Sequence, residues 1–171
     1  FERALNAFDR PSISGSYSRV AENGNAVNLV AELNGNYSDR GETSERLAGD
    51  PDENTRVLSS AEDEHNYEIG ADYEFDLGAG RLKLIGLHRF ESSPTIDRTT
   101  TTFVSGLVEG TAFTRQADEA ESIIRTEFSF PAWDSQWRWS LETTENYLDL
   151  DSQLDRLSAD GMFIPVDLPD A

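Results

Sequence analysis

The most constraining feature of this chain is the stretch Tyr67–Leu77, "YEIGADYEFDL", in which polarity alternates residue by residue. Tyr67, Ile69, Ala71, Tyr73, Phe75 and Leu77 are apolar or aromatic, while four of the five residues between them are carboxylates: Glu68, Asp72, Glu74 and Asp76. Successive side chains of a strand point to opposite faces, so the run makes one apolar face and one acidic face. Any fold for this chain must give those two faces different surroundings.

The same period recurs along the sequence. "AVNLVAELNGNY" places Val27, Leu29, Ala31, Leu33, Gly35 and Tyr37 on one face, opposite Asn28, Glu32, Asn34 and Asn36, with Val30 the exception. "RLKLIGLHRFE" gives Leu82, Leu84, Gly86, His88 and Phe90 against Lys83 and Arg89, with Ile85 and Leu87 beside those two cations. "ESIIRTEFSF" sets Ile124, Thr126, Phe128 and Phe130 against Ile123, Arg125, Glu127 and Ser129. "WRWSLETTENY" sets Trp137, Trp139, Leu141, Thr143 and Tyr147 against Arg138, Ser140, Glu142, Thr144 and Asn146. "SISGSYSRV" (Ser12–Val20) reads as a weaker strand, and the Thr-rich "TTTTFVSGLVEGTAFTRQ" as a hairpin around "LVEG". The chain is therefore expected to be all-β and antiparallel, with about six strands. The segment from about Arg40 to Asn66 and the tail after Leu148 are polar and lack alternation, so they read as long mobile connections.

Composition narrows the partners. With 33 acidic residues against 14 basic ones the formal charge is −19, which leaves no basic cluster for nucleic-acid phosphates or an anionic membrane surface. The absence of cysteine removes disulfides and thiolate metal sites. No apolar run is long enough for a transmembrane helix, and "FERALNAFDR" lacks the basic start and apolar core of a signal peptide. The chain begins at Phe1 and ends in the Pro-rich "IPVDLPDA", so it reads as a fragment of something longer.

The spacing of the turns suggests where the two faces lie. "AENGN", "GAG" and "PAWDSQ" are short connections, and those between them are long, the layout of outer-membrane barrels. Trp133, Trp137 and Trp139 gather at a short-turn end, and Tyr37, Tyr67 and Tyr147 at long-loop ends, as two interfacial belts would require. The expectation is a lipid-facing and girdle surface of Leu29, Leu33, Tyr37, Tyr67, Tyr73, Phe75, Leu84, Phe128, Trp137, Trp139, Leu141 and Tyr147. Glu32, Asp72, Glu74, Lys83, Arg89, Arg125, Glu127 and Arg138 are expected to face a lumen, chiefly as a wall ladder of paired charges.

"GADYEFDLGAGRLKLIGLHRFESSP" resembles a barrel hairpin of bacterial TonB-dependent outer-membrane receptors. The likeness continues through "TRQADEAESIIRTEFSF" and into "NYLDLDSQLDRLSADGMFIPVDLP", which resembles an extracellular loop of that family. The resemblance implies a 22-stranded barrel closed by an N-terminal plug, with uptake powered through a TonB box. Residues 1–171 would be part of that barrel domain, without plug, TonB box or closing strand. What the family implies for function is energy-coupled uptake of a scarce solute such as a metal chelate or a glycan, across the outer membrane of a Gram-negative cell. Its partners would be membrane lipid, a TonB-type coupling protein and the solute.

No chemical motif competes with this reading. His65 and His88 form no His-Glu-x-x-His run, and His88 reads as an interfacial ring on the apolar face. "GAGRLK" lacks the third glycine of a dinucleotide fingerprint and fits a hairpin turn. Asp149, Asp151 and Asp155 lack the glycine and terminal glutamate of a calcium loop and read as solvated charge. No catalytic residue, cofactor or metal is expected, and the chain is not expected to be an enzyme. The alternative architecture is a soluble antiparallel β-sandwich binding carbohydrate or a protein partner. A hydrolase working through paired carboxylates has no motif behind it.

Overall fold

A computed structural model describes residues 2–46 and 53–167. The strands are β1 (Glu2–Asp9), β2 (Ser12–Val20), β3 (Ala26–Glu45), β4 (Asn54–Leu77), β5 (Gly80–Phe103), β6 (Val108–Ala132), β7 (Ser135–Leu157) and β8 (Phe163–Val166). They form one antiparallel sheet in the order β1-β3-β4-β5-β6-β7-β8, with β2 also paired to β3. The sheet is open and curved.

From β2 onward each strand hydrogen-bonds to the next in sequence, and each pairing holds a single register from end to end. Ala26 opposite Glu74 becomes Glu45 opposite Thr55 with no residue inserted between. The same holds between β5 and β6 and between β6 and β7. β1 and β2 are two halves of one edge strand: Asp9 faces Tyr37 and Ser12 faces Asn34, so Arg10 and Pro11 stand in register without regular pairing. Pro11 has no N–H to give, but its carbonyl still accepts the Gly35 amide at 2.9 Å. Because that carbonyl points at β3, the missing N–H also faces β3, and the ladder lacks one bond where Arg10 and Pro11 break the edge strand.

The lower turns follow from their residues. Between Leu77 and Gly80 only two residues intervene, and Gly78 takes φ of 63°, the positive first position of a type II′ hairpin turn. Trp133 and Asp134 both take positive φ, 49° and 59°, as a type I′ turn requires.

Both sets of turns step in one direction across the sheet. Ala26, the first residue of β3, is level with Glu74, Lys83, Glu127 and Ser140. Glu74 lies three residues inside the end of β4, and Ser140 five residues inside the start of β7. At the other end Glu42 is level with Leu58, Thr99, Thr111 and Arg156, and Arg156 is one residue from the end of β7. The step is about one residue per strand. With a rise of roughly 3.3 Å per residue and a strand spacing of about 4.8 Å, it tilts the strands by about 35° from the axis of the curved sheet.

Four expectations are corrected here. The polar segment from Arg40 to Asn66 is not a long loop: β3 runs on to Glu45 and β4 begins at Asn54, with residues 47–52 outside the described part. The stretch after Leu148 continues β7 to Leu157, so Asp149, Asp151 and Asp155 are strand residues, and β8 follows. There are eight strand elements rather than six, and β3 to β7 are 20 to 25 residues long. In the upper halves of these strands polarity does not alternate, although the backbone ladder continues. The hairpin after β5 also turns at Val104–Leu107, slightly before "LVEG".

The sheet is a single layer among the described residues. Its strands contact their ladder neighbours and no second sheet, and the buried apolar side chains are Ala112 and Ala117. A sandwich would bury its large aromatics between two layers. Here Trp139 is 65% exposed and Leu141 77% exposed.

Candidate membrane-facing surface

The register decides whether five separate alternations agree, and they do. Val27, Tyr73, Leu84, Thr126 and Leu141 form one level row across β3 to β7. Leu29, Ala71, Gly86, Ile124 and Thr143 form the next but one, and Leu33, Tyr67, Phe90, Ala120 and Tyr147 lie on another. Directly opposed residues share a face. The apolar sets therefore fuse into one continuous surface, and the expected lipid-facing residues lie on it except Tyr37, which shares the face but stands four residues above the row of Leu33 and Tyr67, opposite Asp63.

That surface is a band of defined height. Its lower edge is the row Leu77, Gly80, Phe130 and Trp137, and its upper edge the row through Tyr67 and Tyr147. Two residues higher on the same face stand Gly35, His65, Ser92, Asp118 and Asp149, and the face has become polar. From Leu77 to Tyr67 is ten residues. At roughly 3.3 Å per residue and a tilt of about 35°, the band is about 27 Å tall, close to the roughly 25 Å of outer-membrane barrels.

Aromatic rings mark both edges. At the lower edge Tyr73 stacks with Phe75, Phe128 stacks with Phe130, Trp139 meets Phe130 edge-on at 5.7 Å, and Trp137 meets Trp133 edge-on at 6.1 Å. At the upper edge Tyr67 stacks on Phe90 at 5.6 Å and tilts against His88 at 5.8 Å. Two glycines make room for rings to lie flat. A Cβ on Gly80 would sit 2.6 Å from Phe128 Cζ and from the Ser129 carbonyl, and one on Gly35 would sit 2.7 Å from the Tyr37 ring.

The opposite face carries the expected lumen-facing residues, and the structure pairs most of them. Lys83 lies 3.4 Å from Asp72, and Arg125 bridges to Glu142 and, at 3.8 Å, to Glu127. Arg81 binds Glu74 and Asp76, and its third contact is the Gly24 carbonyl at 2.7 Å. Arg89 pairs along its own strand with Glu91 at 2.8 Å. Glu32 accepts a bond from Asn34, and Arg138 donates to Ser129. Arg81, Asp76, Glu91 and Glu142 are the partners that sequence reasoning missed. Once the turn between Leu77 and Gly80 is fixed, Arg81 falls opposite Asp76, so Arg81 was within reach of the sequence. These pairs are partly exposed, so each contributes little to stability. This face also carries an apolar row, Val30, Gly70, Leu87 and Ile123, with the Asp72, Glu74, Lys83 and Arg125 pairs below it and Glu32, Glu68, Arg89 and Glu121 above.

Above the band, Asp118 accepts hydrogen bonds from the Ser92 hydroxyl and the Gln116 amide, at 2.7 and 2.6 Å. Those bonds, Ser92's first, hold its pKa below the ordinary carboxylate range. Among the described residues no group of His, Asp and Glu side chains has metal-binding geometry.

No protein-family model matches the chain, and no curated protein matches it. A solved structure titled "Pore forming protein" aligns over 91% of this chain and 95% of its own, at 5% identity and a TM-score of 0.17. That score is too low to define a shared fold.

Proposed function

We propose that this chain is part of the wall of a bacterial outer-membrane barrel, from a TonB-dependent receptor that imports a scarce solute such as a metal chelate or a glycan. The observation that carries the membrane part is the in-phase apolar band, about 27 Å tall and edged above and below by aromatic rings. Lipid would cover that band, and the salt-bridged face would line the interior. The receptor assignment rests on the resemblance of the hairpin at Gly70–Pro94 and its continuation. In this reading the coupling protein and the plug act through other parts of a longer chain, and nucleic acid has no role. The single-layered sheet gives no support to a soluble sandwich that binds carbohydrate or protein.

Single cysteines introduced into this cysteine-free chain test the arrangement on intact cells. An impermeant thiol reagent should label Ser105→Cys and Asp160→Cys, on the upper turns, and spare Asn23→Cys and Ala79→Cys on the lower ones. Labelling at both ends, or at the lower end alone, would refute it.

A further inference from the structure

One row of the apolar band is apolar on β3 and β4, at Ala31 and Ile69, but polar on β5 to β7. Between the row of Ala71, Gly86 and Ile124 and the row of Tyr67, Phe90 and Tyr147 lie His88, Ser122 and Glu145, level with one another. Polar side chains on a lipid-facing surface carry a desolvation cost and mark function more often than packing. Here they are organised. The Ser122 hydroxyl is 2.9 Å from His88 Nδ1, and the Tyr67 hydroxyl is 3.4 Å from His88 Nε2. Ser122 can donate to Nδ1 only if that nitrogen is unprotonated, which puts the ring proton on Nε2, facing Tyr67. A hydroxyl, a base within hydrogen-bond reach and a third group orienting the base make up the arrangement of an activated nucleophile.

We propose that Ser122 is an acyl-accepting nucleophile, with His88 as its base and Tyr67 as the positioning residue, directed at acyl esters of membrane lipid. The substrate class rests on the membrane reading above, because the dyad lies two residues inside the upper aromatic edge, where ester groups meet the hydrocarbon. Ser122 Oγ attacks the ester carbonyl as its proton passes to His88 Nδ1. The tetrahedral adduct collapses, the ester C–O bond breaks, and the departing alkoxide takes that proton. Water then attacks the acyl-Ser122 ester, giving up a proton through His88, and releases the fatty acid. Backbone amides on this row are committed to the ladders, so no preorganised donor pair meets the oxyanion. Turnover is therefore slow, and covalent capture is the appropriate readout.

The test is labelling of the full-length protein with a fluorophosphonate, which phosphonylates an activated serine as fluoride leaves. In detergent micelles a short-chain probe should add to Ser122, located by peptide mass. Ser122→Ala should abolish the adduct, His88→Ala should slow it by about 100-fold or more, and Tyr67→Phe should slow it less. Retained binding of a hydrophobic dye and an unchanged circular dichroism spectrum would show that the variants still fold. Absence of an adduct at Ser122, or equal labelling of the parent and His88→Ala, would overturn the proposal. A long-chain probe presented in phosphatidylethanolamine vesicles separates the two readings. Faster capture than with the short probe supports a lipid substrate, whereas capture of the short probe alone keeps the nucleophile and overturns the lipid assignment.

Discussion

Neighbouring residues on these strands should respond oppositely to the same change. Leu141 faces the band and Ser140 the paired charges, one residue apart. Measured by unfolding in lipid vesicles, Leu141→Arg should cost about 2–4 kcal/mol and Ser140→Arg far less; equal costs would contradict the assignment of faces. Glycines divide in the same way. Gly80→Ala meets the Phe128 ring and the Ser129 carbonyl, whereas a Cβ on Gly86 meets nothing within 4 Å. The first should destabilise by about 1–3 kcal/mol through overpacking, and the second should be nearly neutral; the reverse order would show that the rings do not lie flat. Asp118 adds a pH dependence. Its folded pKa is depressed by Ser92 and Gln116, so its contribution is present above the ordinary carboxylate pKa of about 4 and is lost as pH falls through the lowered value. Ser92→Ala should weaken that acid-sensitive part, and an unchanged acid limb would exclude it.

The lower turns show a conflict between local preference and placement. A type I′ turn favours Asn-Gly, yet this chain uses Trp133 and Asp134 at positive φ. Trp133 is 87% exposed at the tip and touches Trp137, at the lower edge of the band. Replacing the pair by Asn-Gly should stabilise the hairpin by about 1–2 kcal/mol in micelles, by removing αL strain. In bilayers that gain should shrink, because the interfacial indole is lost; the same gain in both media would deny Trp133 an anchoring role. Sequence alone revealed the strands inside the band and the face each residue takes, because there the two faces meet different surroundings and polarity must alternate. It did not reveal β1, the upper parts of β3 and β4, or the continuation of β7, because polarity does not alternate there. It placed His88 on the apolar face but not against Ser122, since that contact depends on the register between β5 and β6.

At the scale of the molecule, the sheet has two incomplete edges. β1 and β2 pair only with β3, and β7 below Leu154 has no partner on its outer side among the described residues. Such edges present rows of unpaired donors and acceptors, and the exposed apolar band exceeds what soluble monomers carry. Without detergent the chain of 171 residues should therefore associate despite its charge of −19; a monodisperse, folded monomer in plain buffer would contradict that. The central claim is that one face of this sheet meets lipid, and depth-dependent fluorescence quenching reads it directly. A single cysteine is moved through Tyr67–Leu77 of β4 in the full-length protein, labelled with an environment-sensitive dye and reconstituted into vesicles of brominated lipid. Quenching should follow a period of two, strong at positions 69, 71, 73 and 75 and weak at 68, 70, 72 and 74. Uniform quenching along the strand, or strong quenching at the carboxylate positions, would contradict the account.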